Sequence, residues 1–330
     1  MYFLRRFRGR SLTFIFLIFI LTASSLIGLK FLKAARAQSG INLSATTLRK
    51  EIQSASISPV LNDELSSNSE SYVLADALTH QILISNKAEV KRAPASTTKL
   101  LTGLIAQESL NQADMVKVGQ EVNLEGSKLG LSPGDEISVH DLLTALYVHS
   151  ANDAAAALAV KVSGSIPAFA EEMNLYAAAL GCQNSNFVNP HGLPDPNHYT
   201  TAADLCKIAN KFIKNKQLMS IVQKTYAQVH WKDSNEILHS AKLKTINSLL
   251  GIYPGVQGLK TGTTTEAGQC LISYVTRTDG NLLLVLLGSK QRYRDSVILL
   301  DEGWAMQRSA AALRNLANDL QSLISSPGIF

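Results

Sequence analysis

Strand patterns stand at both ends of the region that can fold, and helical patterns fill the space between them. Near one end, Tyr72-Val73-Leu74-Ala75-Asp76 and Gln81-Ile82-Leu83-Ile84-Ser85 read as two short strands joined by a turn. Near the other, residues 269–277 and 281–287 are apolar strands around Thr278-Asp279-Gly280, a favourable hairpin turn. Residues 97–108 space Leu100, Leu101, Leu104 and Ile105 at helical intervals. Residues 139–149, 153–162, 166–180 and 201–212 read as further helices. This order predicts a mixed α/β domain whose C-terminal hairpin pairs with the N-terminal strands in one antiparallel sheet. A chain of 330 residues can bury a sizeable core in such a domain.

The ends of the chain carry different information. Residues 1–37 hold Arg5, Arg6, Arg8, Arg10, Lys30, Lys33 and Arg36 and no acid. The formal charge of +5 therefore becomes −2 over the remainder, and a nucleic-acid partner has no basic domain face to bind. Between these cations, Ser11 to Leu29 is a run of 19 uncharged residues, enough for one membrane-spanning helix. The arginines before it keep that end cytoplasmic, so the rest of the chain is expected outside the cytoplasmic membrane. Ala35-Arg36-Ala37 resembles a signal-peptidase site, but three cations separate it from an apolar run that is long for a signal peptide. An uncleaved N-terminal anchor over residues 1–37 is favoured over a cleaved signal. Residues 38–71, with nine serines and no sustained apolar pattern, read as a flexible linker. The catalytic domain is expected over 72–308. A terminal helix over 309–330 places Leu313, Leu316, Leu320 and Leu323 on one face, which is read as packing against the domain.

Cys182, Cys206 and Cys270 are an odd number in an exported chain, and buried free thiols are favoured over a bond between residues 182 and 206. His191, Asp195 and His198 lie in a turn-rich stretch around Asn189-Pro190-His191-Gly192-Leu193-Pro194, read as a loop without metal. No cofactor is expected.

Three motifs carry the chemistry. Ser96-Thr97-Thr98-Lys99 is the only Ser-x-x-Lys in the chain, and Lys260-Thr261-Gly262 the only Lys-Thr-Gly. Ser150-Ala151-Asn152 lies between them; a second Ser-x-Asn at Ser66 precedes the nucleophile in a polar stretch. A serine hydroxyl is a poor nucleophile until a base takes its proton, and Ser96 and Lys99 share one helical face. Lysine is a base only when neutral; a helix start and a second cation, Lys260, would both lower its pKa. Ser150 and Asn152 fit a turn that points polar groups into a cleft. A glycine at 262 lets a ligand approach the backbone, while Lys260 and Thr261 can hold a carboxylate. Taken singly, each motif is most often a helix cap, a turn or a strand end. Together and in this order they point to acyl transfer through serine.

The trio is shared by penicillin-binding proteins and class A β-lactamases. The chain resembles the low-molecular-mass penicillin-binding proteins, serine D-alanyl-D-alanine carboxypeptidases of peptidase family S11, from about Tyr72 to Trp304. Beyond the trio, Gly126-Ser127-Lys128-Leu129-Gly130-Leu131, Phe187-Val188-Asn189-Pro190-His191-Gly192-Leu193 and Leu299-Leu300-Asp301-Glu302-Gly303-Trp304 are similar to family segments. The resemblance implies a β-lactamase/transpeptidase-like fold, with an antiparallel sheet of about five strands flanked by helices and a helical subdomain. It also implies roles. Ser96 attacks the carbonyl with Lys99 as base, Ser150 relays a proton to the leaving D-alanine, and Asn152 binds the substrate backbone. Lys260, Thr261 and an arginine, Arg292 with Arg294 as rival, hold the terminal carboxylate. The amides of Ser96 and Thr263 form the oxyanion hole.

Two departures stand out. Only 26 residues follow Trp304, so the β-rich domain that often follows in the family is expected to be absent, and the N-terminal segment to anchor instead. No clear Glu-x-x-Leu-Asn element lies between Ser150 and Lys260, which disfavours a β-lactamase. The expected activity is removal of the last D-alanine from peptidoglycan stem peptides, with β-lactams as inhibitors and roles in wall synthesis and cell shape. A D,D-endopeptidase or transpeptidase, and a silent wall-binding protein, are the remaining alternatives. Oligomeric state is not legible.

Overall fold

The computed structural model describes residues 69–325, with side chains to residue 319. The expected anchor over 1–37, and all but the end of the linker over 38–71, lie outside the described residues. Of these, residues 69–312 belong to one compact unit and residues 313–325 to another.

The first strands, β1 (Ser71–Asp76) and β2 (Ile82–Asn86), pair antiparallel. Near the other end, β7 (Val256–Thr264), β8 (Gly268–Arg277) and β9 (Gly280–Ser289) form a meander. β9 returns beside β1, giving a five-stranded antiparallel sheet in the order β2-β1-β9-β8-β7. The pairing of the two chain ends is as the sequence predicts. The apolar run Leu282 to Leu287 is explained by burial on both sides of β9. Leu282, Leu284 and Leu286 face the last helix, α7 (Arg292–Ser325), through its Leu299, Leu300 and Trp304. Leu283, Val285 and Leu287 alternate to the opposite face and join the helical core. Gly303 allows this packing, because a Cβ there would lie 2.5 Å from the Leu74 side chain.

The helices come between the strands in sequence: α1 (Lys99–Ser109), α2 (Val139–Thr144), α3 (Asn152–Ser163), α4 (Ile166–Ala179), α5 (Ala202–Phe212) and α6 (Lys216–Val222). Ser138, Ser165 and Thr201 accept from the amides of Asp141, Ala168 and Asp204, which fixes where α2, α4 and α5 begin. Helix α3 is buried on all sides along Ala154 to Ala159, where small side chains let neighbouring elements come close.

A second antiparallel sheet, in the order β3-β4-β5-β6, was not expected from the sequence. Its strands are β3 (Met115–Lys117), β4 (Glu136–Ser138), β5 (Tyr226–Lys232) and β6 (Leu238–Lys244). The terminal helical pattern belongs to α7, a single helix of 34 residues, and Leu313 and Leu316 on it are exposed. Among the described residues no helix is long and apolar enough to cross a membrane. All three cysteines are buried free thiols, and Cys182 Sγ donates to the Asp204 carbonyl instead of pairing with Cys206.

Candidate active site

Three elements bring the motifs to one cleft. Residues Ala95–Thr98 form a single 3-10 turn that runs into α1. No side chain caps either helical start, so Ser96 is not an N-cap and its hydroxyl is left for other partners. The spacing of three residues places Lys99 Nζ 2.8 Å from Ser96 Oγ. Helix α2 continues as a π-helical segment, Ala145–His149, which ends at Ser150 in the left-handed region (φ 62°, ψ 31°). That turn reverses the chain before α3 and aims both Ser150 and Asn152 at the lysines. Strand β7 closes the other wall. Lys260 lies within it, and its Nζ donates to Ser150 Oγ at 2.9 Å and to the Thr261 carbonyl at 2.7 Å.

Gly262 is required by close approach. A Cβ at this position would stand 2.7 Å from the Ser96 backbone nitrogen, so only glycine lets β7 pass beside the nucleophile turn. Thr263 Oγ1 accepts from Arg292 Nη2 at 2.6 Å, and Arg292 Nη1 donates to the carbonyls of Gly262 and Cys270. Arg292 is thereby tied to the end of β7. Arg294, exposed on α7, donates to Gln291 Oε1. Thr261 is buried in the same strand.

Both lysines are almost fully removed from water, Lys99 at 0% exposure and Lys260 at 1%. Burial holds the Lys99 pKa well below the ordinary lysine range, and the Lys260 charge lowers it further while Asp153 opposes. Desolvation, which the sequence did not suggest, is the leading cause, and the expected contribution of Lys260 comes second. Burial also lowers Lys260, to about 7, with the Arg292 charge contributing.

Lys99 Nζ has two further partners: Asn152 Oδ1 at 2.7 Å and the His191 carbonyl at 2.6 Å. A neutral amine has two N–H bonds and one lone pair. With two fixed carbonyl acceptors for its N–H bonds, a neutral Lys99 amine would have its lone pair facing Ser96.

Sequence reasoning missed several residues that build this arrangement. The His191 carbonyl is delivered by the turn-rich loop: Asn189 Oδ1 accepts from the Gly192 amide at 2.7 Å, and Thr102 Oγ1 donates to the Pro190 carbonyl at 2.6 Å. The motif was visible, but a backbone acceptor leaves no signature in residue type. Asp153, adjacent to the second motif, accepts from the amides of Leu129, Gly130 and Leu131. It pins the segment whose Glu125 carbonyl and Ser127 carbonyl accept from the Asn152 side-chain and backbone nitrogens. Among the described residues no group of His, Cys, Asp and Glu is arranged to hold a metal.

A profile described as D-alanyl-D-alanine carboxypeptidase, peptidase family S11, matches residues 56–291. The chain belongs to this family. Among curated relatives, D-alanyl-D-alanine carboxypeptidase DacF of Bacillus subtilis is 32% identical over 247 residues, covering 72% of this chain and 62% of the relative. DacC of Escherichia coli is likewise 32% identical, over 256 residues, covering 72% of this chain and 61% of the relative. The chain therefore spans about three-fifths of the length of these relatives. The Streptomyces K15 DD-transpeptidase crystal structure superposes with a TM-score of 0.70 at 27% identity, covering 73% of this chain and 98% of that one. The β-lactamase/transpeptidase-like fold expected from the motifs is the fold of this D-alanyl-D-alanine carboxypeptidase family member.

Proposed function

We propose that the chain is a serine D-alanyl-D-alanine carboxypeptidase that removes the terminal D-alanine of peptidoglycan stem pentapeptides through an acyl-enzyme on Ser96. The observation that carries this reading is the part-buried Ser96–Lys99 contact of 2.8 Å beside the buried Ser150–Lys260 contact of 2.9 Å. No cofactor enters the reaction.

Ser96 Oγ attacks the carbonyl of the penultimate D-alanine while its proton passes to the Lys99 amine. The new Ser96–carbon bond forms, and the developing oxyanion is met by the amides of Ser96 and Thr263. As the carbon–nitrogen bond breaks, the leaving amine takes a proton from Ser150, which regains one from Lys260. Asn152 holds the substrate backbone. The terminal carboxylate is bound by Lys260, Thr261 and Arg292 at the end of β7. The proton that Lys99 took replaces the one Lys260 gave up; with Lys99 neutral again, water attacks the acyl-enzyme, Lys99 takes the water's proton, and that proton returns to Ser96 Oγ as the ester bond breaks. A β-lactam, whose carboxylate and reactive carbonyl lie similarly, acylates the same serine and blocks it.

The test is incubation with a synthetic peptide ending in D-Ala-D-Ala, read by product mass. Free D-alanine and a peptide one residue shorter are expected, with no product from Ser96→Ala. A joined peptide product would reassign the chain to transpeptidation, and no turnover with an intact fold would overturn the reading.

The site would work on the outer side of the cytoplasmic membrane, held there by residues 1–37. The support is in the sequence: an arginine cluster followed by 19 uncharged residues. Full-length protein expressed with this segment should sediment with membranes through a high-salt wash, and release by salt would refute the anchor.

A further inference from the structure

The residue before the proposed nucleophile has an unusual backbone. Ala95 has φ +49°, a left-handed conformation that a non-glycine residue adopts at a cost of order 1–3 kcal/mol unless its surroundings hold it there. What holds it is a chain of hydrogen bonds. Thr98 Oγ1 donates to the Ala95 carbonyl at 2.9 Å, and His198 Nε2 lies 2.9 Å from the same hydroxyl oxygen. The Val188 amide donates to His198 Nδ1 at 3.1 Å.

The proton positions follow from counting donors. Thr98 has one hydroxyl proton, already given to Ala95, so its oxygen accepts from His198. Nδ1 accepts from Val188, so the ring proton is on Nε2 and the imidazole is neutral. A doubly protonated ring would set Nδ1–H against the Val188 N–H. Burial lowers the His198 pKa to about 4, against the opposing charge of Asp195, which agrees with this assignment. Gly192 closes the site from behind, since a Cβ there would collide with the Ala95 carbonyl oxygen.

The consequence reaches the reacting centre through one peptide plane. In a trans peptide unit the carbonyl and the following N–H point in opposite directions. Holding the Ala95 carbonyl toward Thr98 and His198 therefore turns the Ser96 N–H the other way. That side is the β7 side, where a Cβ on Gly262 would sit 2.7 Å from the Ser96 nitrogen. We infer that His198, acting through Thr98, is a positioning residue that aims the Ser96 amide at the oxyanion of the acyl-transfer transition state. The inference rests on the proposed acylation of Ser96.

Four substitutions test it with full-length protein and a penicillin, resolving the dissociation constant of the initial complex from the acylation rate constant. H198F removes the donor to Thr98, and T98V removes the hydroxyl. Each should lower the acylation rate constant by about 10- to 100-fold, less than or comparable to deleting one oxyanion donor, and change initial binding by less than about 3-fold. T98S restores the hydroxyl, and H198Q restores an N–H at the position of Nε2. Both should recover most of the rate. The double substitution H198F/T98V should be no slower than the slower single one, because the two act in one chain. Thermal melting identifies which variants are folded, and T98V with T98S decides the matter if H198F is not. A folded H198F or T98V that acylates at the unsubstituted rate, with only its melting temperature lowered, overturns the inference and leaves the proposed function standing. No adduct on Ser96 of the unsubstituted protein overturns both.

Discussion

At the scale of single residues, the site removes two lysine amines from water. Lys99 is placed among Ser96, Asn152 and the His191 carbonyl, and among the described residues no carboxylate bonds it. A salt bridge there would keep the ammonium charged and useless as a base; carbonyl acceptors orient the amine without neutralising a charge. Substituting Lys99→Arg tests this, because arginine retains positive charge and does not release its proton in the working range. Acylation of Ser96 by penicillin should fall by at least about 100-fold, the lower end of general-base contributions, in a variant that still melts cooperatively. Near-normal acylation would remove Lys99 from the base role. The motif residues themselves were legible in sequence because their chemistry lies in side chains. The His191 carbonyl and the Ser96 amide were not, since every residue except proline carries the same backbone groups.

At the scale of elements, the sequence showed helices and buried strands well and the amphipathic sheet poorly. Leu282 to Leu287 reads as a strand because both faces of β9 are covered. β5 and β6 bury only one face, through Val229 and Leu243, and expose His230, Lys242 and Lys244 on the other. A half-polar strand of seven residues with lysines and histidines looks like a surface loop until its pairing partner is seen. The cleft wall between α2 and α3 shows the same limit. Asp153 reads as an ordinary first-turn acid, whereas its buried carboxylate gathers the amides of Leu129, Gly130 and Leu131. Truncation in Asp153→Ala leaves those amides without their acceptor. The expected loss is about 3 kcal/mol or more, from hydrogen bonds to a charged group worth ~1.5–3 kcal/mol each and not fully additive. Urea unfolding measures it. Activity should fall as well, because the same segment presents the Glu125 and Ser127 carbonyls that hold Asn152. A loss under about 1 kcal/mol, the range of an exposed polar contact, would mean that this carboxylate does not organise the wall.

Across the whole molecule, the five-stranded sheet serves as a wall on which three distant chain segments meet: the turn after Pro94, the bend at Ser150 and the edge strand β7. The order of motifs shows that they belong together, but their meeting depends on β9 returning to β1, which only the pairing of chain ends can bring about. Their convergence buries two lysines, and this has a consequence for folding that can be read by pH. Lys260 has its folded-state pKa lowered to about 7, and Lys99 is lowered too, whereas both titrate in the ordinary lysine range near 10.5 when unfolded. Between about 7 and that range the unfolded chain binds more protons than the folded one, so stability must rise with pH across this window. Below about 7 the slope contributed by Lys260 vanishes, since both states then carry its proton. The usual paired lysine, whose pKa is raised on folding, would give the opposite sign. Urea midpoints measured from pH 6.5 to pH 9.5 should therefore increase, after correction for other titrating groups by comparison with Lys260→Met. That variant removes one buried ammonium, so its midpoint should be higher than the parent's near neutral pH and converge toward it, or fall below, as pH rises. Parallel curves for the two proteins would show that Lys260 is folded as an ordinary ammonium ion whose pKa burial does not lower.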